Sequence, residues 1–408
     1  MNSNMAGVSA QTLFRWREYL DQLAPLAENI SALSDRPHDE QWSGELLQFL
    51  YSQISVGYLF MISDPQYPEF LPYYNHLFCQ GFPNPDDTLS QAVIDDQGSY
   101  RISGFRGSAR IVSLQLGGDV GSVARMIDNP ASPVGGSKGV FDLDSARLAD
   151  DGAFEILLSP ARPHGYEGDW WKLESEATAV IVRQRHYDWF NEVDGRFTIE
   201  RLDVPAAKPR PSAHEIDSAL KKVAHYIETY GKVTFDGLST RHLRAGPPNI
   251  FTCKDYSDFG GLANQAFVEG RFELAGDEAL IIESDVPERC AYWGFHLTDD
   301  FWQSIDWVNR QSSLNGHTAR IDGDGKLRMV VSAQDPGVPN WLDTAGREKG
   351  FVYGRWTDAS DYPTPHVIKL KTDDVLRHLP SDTPAVTAEA RDAAIRARRK
   401  AIQLRHRW

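Results

Sequence analysis

The fold is most clearly indicated by a stretch of sequence that occurs twice. The first copy, residues 151–171, reads DGAFEILLSPARPHGYEGDWW, and the second, residues 324–342, reads DGKLRMVVSAQDPGVPNWL. Each copy opens with Asp-Gly, continues through an apolar run that ends in Ser, and reaches a Pro-containing loop and then a Trp. An Arg follows at nearly the same distance in both, at Arg183 and Arg355. Such self-similarity predicts two copies of one structural unit.

The residues around both copies have the pattern of antiparallel β-structure. Short alternating segments, rich in β-branched residues, are separated by Gly, Pro and Asp turns without an interleaved helix. Residues 100–105 and 109–116 are two such segments, and their short separation predicts a hairpin. We therefore expect two related antiparallel units of the jelly-roll or sandwich type, and not a doubly wound parallel sheet.

Helices are predicted before, between and after these units. Apolar residues recur every three or four positions from Leu13 to Leu33 and from Trp42 to Ile62. After a Pro-rich linker, residues 212–215 have the Ser-x-x-Glu spacing of a capping box, which predicts a connecting helix. Residues 387–408 predict a basic C-terminal helix. The chain is thus mainly β with α additions, divided into an N-terminal helical segment 1–65, a first β unit 66–204, a linker and helical connector 205–275, a second β unit 276–380 and a basic tail 381–408.

Composition and charge exclude several classes of function. The 408 residues include 57 acidic and 42 basic side chains, for a net charge of −15, so the surface repels the phosphates of nucleic acid. No apolar run is long enough to span a membrane, and the first residues lack the pattern of a signal peptide. The 3 cysteines form no Cys-x-x-Cys pair. We expect a cytoplasmic protein that binds neither nucleic acid nor membrane.

The basic tail contrasts with the acidic remainder of the chain. Basic residues outnumber acidic ones throughout residues 387–408. Because opposite charges complement each other, we expect this helix to dock against its own chain or a neighbouring subunit. A homo-oligomer held through the tail is the assembly that this interpretation predicts.

The second copy also resembles a known family. Residues 292–297 and 309–314, the Asn340-Trp341-Leu342 signature and Arg355, with the upstream Asn84-Pro85-Asp86, are similar to the family of domain of unknown function 1214. The resemblance extends from about Asn84 to Arg355 and implies antiparallel jelly-roll-like sheets. It implies a fold and no particular activity.

Motifs for metal, nucleotide and covalent chemistry are not found in the sequence. No His-x-His or His-Glu-x-x-His spacing and no dinucleotide fingerprint occurs, so neither a metal nor another cofactor is expected. Aromatic and polar residues cluster instead in the loops, where one apolar pocket would shift pKa values toward neutrality. The candidate proton carriers are His164, His186 and Tyr74, and the candidate anion-binding groups are Arg183 and Arg355. The candidate substrate contacts are Trp170, Trp341, Asn84, Asn340 and Asp335.

These residues support two classes of function. The leading hypothesis is a cofactor-independent acid–base lyase that eliminates water, or a carbonyl fragment such as formaldehyde, from an aromatic or apolar small molecule. The alternative is a double sandwich without catalysis, either structural or binding carbohydrate on exposed Trp rings. The position of the Trp side chains distinguishes them, because an open flat face favours glycan binding and a closed cavity favours catalysis.

Overall fold

The computed structural model describes residues 10–34, 38–72, 74–79, 81–118, 137–238, 246–255 and 264–405. The helices predicted from the sequence are present in this part of the chain, together with a short helix over Val375–His378 that was not predicted. They are α1 (Ala10–Leu23), α2 (Leu26–Ser31), α3 (Glu40–Met61), α4 (Ala213–Leu238), α5 (Val375–His378) and α6 (Ala388–Leu404). Pro25 divides the first predicted helix into α1 and α2, because proline cannot donate to the helical hydrogen-bond ladder. No helix of the described ranges is long and apolar enough to cross a membrane.

The first β unit contains nine strands in two sheets. They are β1 (Leu71–Pro72), β2 (Asp87–Val93), β3 (Tyr100–Phe105), β4 (Ile111–Gly117), β5 (Gly139–Asp142), β6 (Ala153–Ser159), β7 (Asp169–Lys172), β8 (Ala179–Arg185) and β9 (Arg196–Arg201). One sheet has the order β1-β2-β8-β4-β5, and the other has the order β7-β6-β3-β9.

The second β unit repeats this arrangement. Its strands are β10 (Thr252–Asp255), β11 (Gln265–Glu273), β12 (Glu278–Asp285), β13 (Cys290–Thr298), β14 (Ser313–Asn315), β15 (Lys326–Ser332), β16 (Trp341–Asp343), β17 (Lys349–Ala359) and β18 (His366–Lys371). The sheet orders are β10-β11-β17-β13-β14 and β16-β15-β12-β18. Strand by strand they match the first unit, including the parallel pairs β6–β7 and β15–β16. The predicted fold of mainly β structure in two related units is confirmed.

Two details of the prediction are wrong. Strands β3 and β4 do not form a hairpin, since β3 pairs with β6 and β9 whereas β4 pairs with β5 and β8. The turn between them carries the chain from one sheet to the other, which local sequence alone does not distinguish from a hairpin turn. The second β unit also begins before residue 276, because β10 and β11 belong to the same sheet as β17.

Hydrophobic cores fill both sandwiches, and the N-terminal helices form a third core with α4. Ile102, Ile156 and Val182 are fully buried in the first sandwich, as are Leu280 and Val331 in the second. The helical core includes Phe301, which follows β13, so the helices also cover part of the second unit.

The outer faces of the two five-stranded sheets meet each other. Side chains alternate along a strand, so Val180 and Val182 of β8 enter the first core while Arg183 and Arg185 lie on the opposite face. In β17, Val352 and Trp356 enter the second core. Arg355 and Thr357 lie on the other face, and Arg185 contacts Thr357 directly. Polar residues from both units therefore form one buried layer.

Candidate functional site

The centre of the buried polar layer is the ion pair between Arg185 and Asp87. Arg185 donates from Nε and Nη2 to the two carboxylate oxygens at 2.7 and 2.9 Å. Its Nη1 donates to Gln265 Oε1 at 2.8 Å and Thr357 Oγ1 at 3.0 Å in the second unit. Burial would raise the pKa of Asp87, but the Arg185 charge outweighs it and holds that pKa well below its usual range. This pair joins the two β units.

Asp86, the last residue of the Asn-Pro-Asp signature, is a second buried link between the units. It accepts hydrogen bonds from Tyr292 Oη at 2.6 Å, Trp189 Nε1 at 2.7 Å and Asn315 Nδ2 at 2.7 Å. Burial raises its pKa even though these bonds favour the charged form. Asn84 donates to Tyr292 Oη at 2.9 Å. The signature therefore positions two carboxyl groups that hold the units together.

Four of the residues predicted from sequence lie in or beside this layer. Asn84 and Arg183 both bind Asp87, Arg183 through Nη1 at 3.0 Å. His186 is fully buried, with Nε2 lying 3.1 Å from Asp194. Arg355 Nη1 lies 3.2 Å from His296 Nδ1. The polar groups of these four side chains thus contact other side chains of the protein.

The two Trp residues of the repeat have a structural role. Trp170 Nε1 and Trp341 Nε1 donate to Ser159 Oγ and Ser332 Oγ, in each case at 3.0 Å. Both belong to the four-stranded sheets, which lie across each sandwich core from the polar layer. The two indoles therefore do not wall one shared pocket: each is held in its own unit, and Trp341 packs with Val330 and Val338 in a cluster separate from the sandwich core.

The remaining predicted residues are dispersed over the molecule. His164 is exposed in the loop between β6 and β7. Tyr74 lies near Tyr230, on the helical side of the fold. Asn340 donates to the Arg320 and Arg328 carbonyls at 2.7 and 2.9 Å, which is a structural role. Asp335 binds Arg391 of α6. These four residues were selected because aromatic residues lie near them in the sequence, and that criterion did not predict which side chains are close in space.

Helix α6 lies along the body of its own chain. Arg391, Arg398 and Arg405 are spaced by two helical turns, so they project on one side. Arg391 Nε binds Asp335 at 2.9 Å, Arg398 donates to the Trp307 and Ser313 carbonyls, and Arg405 Nη2 lies 2.7 Å from His186 Nδ1. Docking of the tail against its own chain is thus confirmed, and a subunit contact through it stays a prediction.

A groove of about 430 Å³ runs between α6 and the junction of the two units. The segment after β8 contributes the rings of Tyr187, Trp189 and Phe190 to its walls. The segment after β14 contributes His317, and α6 contributes small and aliphatic side chains. Cavities of this size hold a small organic ligand. A second cavity, near Asn75 and Arg405, is only about 60 Å³ and has room for water.

Charged groups border the aromatic walls of the groove. His317 Nε2 lies 3.8 Å from Asp188 Oδ2. A hydrogen bond from Asn191 Nδ2 to Asp188 at 2.6 Å lowers the pKa of Asp188. The Arg398 guanidinium stacks on the Trp189 ring at 4.4 Å, and burial lowers the pKa of Arg398 to about 10. The groove thus combines stacking surfaces, an acid–base pair and a cation.

None of these groove residues is among the site residues predicted from sequence. The dense run Tyr187-Asp188-Trp189-Phe190 directly after a strand was the available signal. Its partner His317 is remote in sequence, and Arg398 comes from the tail. The structure brings the three segments together.

The fold and site define a protein of two tandem β-sandwiches with a ligand-sized groove at their junction. Residues 271–360 match the model of the family described as protein of unknown function DUF1214, which confirms the resemblance. A crystal structure of an uncharacterised Burkholderia cenocepacia protein is similar at a TM-score of 0.78 and 26% identity, covering 88% of this chain and 98% of the other. A Vibrio parahaemolyticus structure matches at a TM-score of 0.46 and 14% identity, covering 86% and 100%. No curated protein matches the sequence.

Proposed function

We propose that this protein is a cofactor-independent acid–base lyase that acts on an aromatic or apolar small molecule in the groove beside α6. The observation that carries the proposal is the pairing of His317 with Asp188 at the edge of a ring-lined cavity of about 430 Å³. The volume falls within the range of small-molecule sites. Stacking on Trp189 and Phe190 would orient a flat substrate.

His317 is the proton carrier in this proposal. The neutral imidazole accepts a proton from a carbon next to an electron-withdrawing group, and the ionised Asp188 stabilises the imidazolium that results. The carbon–oxygen bond then breaks, and His317 returns the proton to the departing hydroxyl group. The net products are the unsaturated compound and water, so His317 ends in its starting state.

The carbohydrate-binding alternative receives less support from the geometry. A glycan platform needs Trp rings on an open flat face. Trp341 is buried, and the indoles of Trp341 and Trp170 are both hydrogen-bonded to serine hydroxyls of the same unit. The rings of Tyr187, Trp189 and Phe190 line a concave groove and do not form a flat platform.

The test measures turnover of a panel of aromatic β-hydroxy carbonyl compounds. Proton NMR detects the unsaturated product that forms when water is lost, or the formaldehyde that is released. His317→Gln should lower the rate at least 100-fold, because general acid–base catalysis contributes on the order of 10²–10⁴-fold. His366→Gln is the matched control, since His366 is exposed on β18. Equal rates for His317→Gln and the unsubstituted protein would refute the assignment of His317.

A further inference from the structure

Arg398 differs from the other arginines that α6 inserts into the body. Arg391 has a carboxylate partner in Asp335 at 2.9 Å, and Arg405 lies 4.0 Å from Asp194. Among the described residues, Arg398 forms no such ion pair. Asp86 and Asp306 act on it only as more distant charges. Arg398 is half-buried and has no carboxylate partner among the described residues, so an anion that reaches it can form charge-assisted hydrogen bonds that no acidic side chain already occupies.

The hydrogen bonds of Arg398 leave donors unused. A guanidinium group has five N–H bonds. Arg398 uses one on Nε for the Trp307 carbonyl, one on Nη1 for the Ser313 carbonyl and one on Nη2 for the Ser313 hydroxyl. One donor on each terminal nitrogen remains. The side chain borders the groove and its guanidinium stacks on Trp189, beside the space that a substrate ring would occupy.

The helix that forms this wall also makes the local charge positive. Lys400 Nζ lies 5.4 Å from the centre of the Phe190 ring, whereas the charge of Arg396 on the same helix is offset by Asp392 at 3.7 Å. The acidic group at the groove, Asp188, is turned toward His317 and Asn191. An anion approaching along α6 therefore meets positive charge, despite the net charge of −15 of the whole chain.

We infer that the groove binds an aromatic carboxylate, with the ring between Trp189 and Phe190 and the carboxylate on the free N–H groups of Arg398. Guanidinium is suited to carboxylates because it donates several charge-assisted hydrogen bonds from one plane. This inference rests on the proposed function, since it names the class of substrate that the same groove would bind. Arg398 is the residue that would select carboxylates over neutral compounds.

The test compares benzoate with its neutral isostere benzamide by isothermal titration calorimetry on the full chain. Benzoate should bind at least 10-fold more tightly, because a charged carboxylate accepts stronger hydrogen bonds from a guanidinium than a neutral amide does, and added salt should weaken the binding of benzoate alone. Arg398→Gln should reduce the preference to less than about 3-fold. Arg396→Gln is the matched control on the same helix and should keep it.

The outcomes separate this inference from the proposed function. Equal binding of benzoate and benzamide would overturn the carboxylate inference and leave the aromatic groove intact. Binding of neither compound would contradict both. If Arg398→Gln does not fold, Arg398→Lys keeps the charge but loses the planar donor set. It should bind benzoate more weakly than the unsubstituted protein, and unchanged affinity would count against the role of Arg398.

Discussion

Neutralising Asp87 should destabilise the junction of the two β units. In Asp87→Asn the Arg185 guanidinium keeps its charge but loses its ion-pair partner, while both side chains remain buried at 1% exposure. Asn cannot accept two charge-assisted bonds, and water does not reach Arg185 to replace them. The change therefore leaves an uncompensated cation at the contact with Gln265 and Thr357.

The expected loss in free energy of unfolding is about 3–5 kcal/mol, the usual cost of breaking a buried pair by removing one partner. No discount for solvent screening applies, because neither group is exposed. With an unfolding entropy of about 2.1 cal/mol/K per residue, a cooperative chain of this length should lose about 4–6 °C in Tm. The double variant Asp87→Leu with Arg185→Met should lose less free energy of unfolding than Asp87→Asn alone, because it leaves no unpaired buried charge.

Calorimetry and circular dichroism at pH 7 provide the assay, with Asp392→Asn as control. Asp392 is 72% exposed and pairs with Arg396 at 3.7 Å, so this variant should change stability by less than about 1 kcal/mol. Because the pKa of Asp87 is depressed in the folded state, its contribution is present above about pH 4 and declines as the pH falls further. A loss below about 1 kcal/mol at pH 7 for Asp87→Asn would refute the reasoning.

Three further predictions follow from other parts of the molecule. Deleting residues 387–408 should lower Tm, because Arg391, Arg398 and Arg405 bind their own chain; a smaller assembly by light scattering would support the predicted subunit contact through the tail, and an unchanged assembly would contradict it. Gly104→Ala should destabilise the first sandwich by at least about 1–3 kcal/mol in urea unfolding, since its Cβ would lie 1.8 Å from the Arg196 carbonyl oxygen; unchanged stability would contradict that packing. Burial and the nearby Glu45 raise the pKa of Asp299 to about 7, so the folded protein should lose stability as the pH rises from about 4 to 7. In thermal melts between about pH 4 and 7, Asp299→Asn should not show this decrease in stability with pH. Parallel plots of Tm against pH for the variant and the unsubstituted protein would show that Asp299 does not titrate in that range.

The β architecture was predictable because it depends on local and repeated patterns. Alternation of apolar residues identified strands such as β6 and β15, and the duplicated Asp-Gly, Ser and Trp positions identified two units of one kind. Those elements need the same turn and the same Trp–Ser bond in each copy, so the sequence carries them twice. The connection from β3 to β4 was misread because a short polar turn serves a hairpin and a crossing between sheets equally well.

The candidate site was predictable only in part. Arg183 and Arg355 were predicted as anion-binding groups and lie in the buried polar layer, and Asn84 and His186 lie in or beside it. Aromatic content pointed to Trp170 and Trp341 and not to the groove, because an indole that packs in a structural cluster and one that stacks on a ligand look alike in sequence. His317 received no role, since nothing near it in the chain resembles a catalytic motif.

The sequence by itself determined that this protein is built from two related β units, a set of helices and a basic tail in an otherwise acidic chain. These properties follow from periodicity, repetition and charge, which are local. Only the tertiary structure decided that the polar faces of the units meet through Asp87 and Arg185, and that Trp189, His317 and Arg398 border one groove. The physical reason is that burial, ion pairing and cavity shape arise between segments far apart in the chain, and no single segment encodes them.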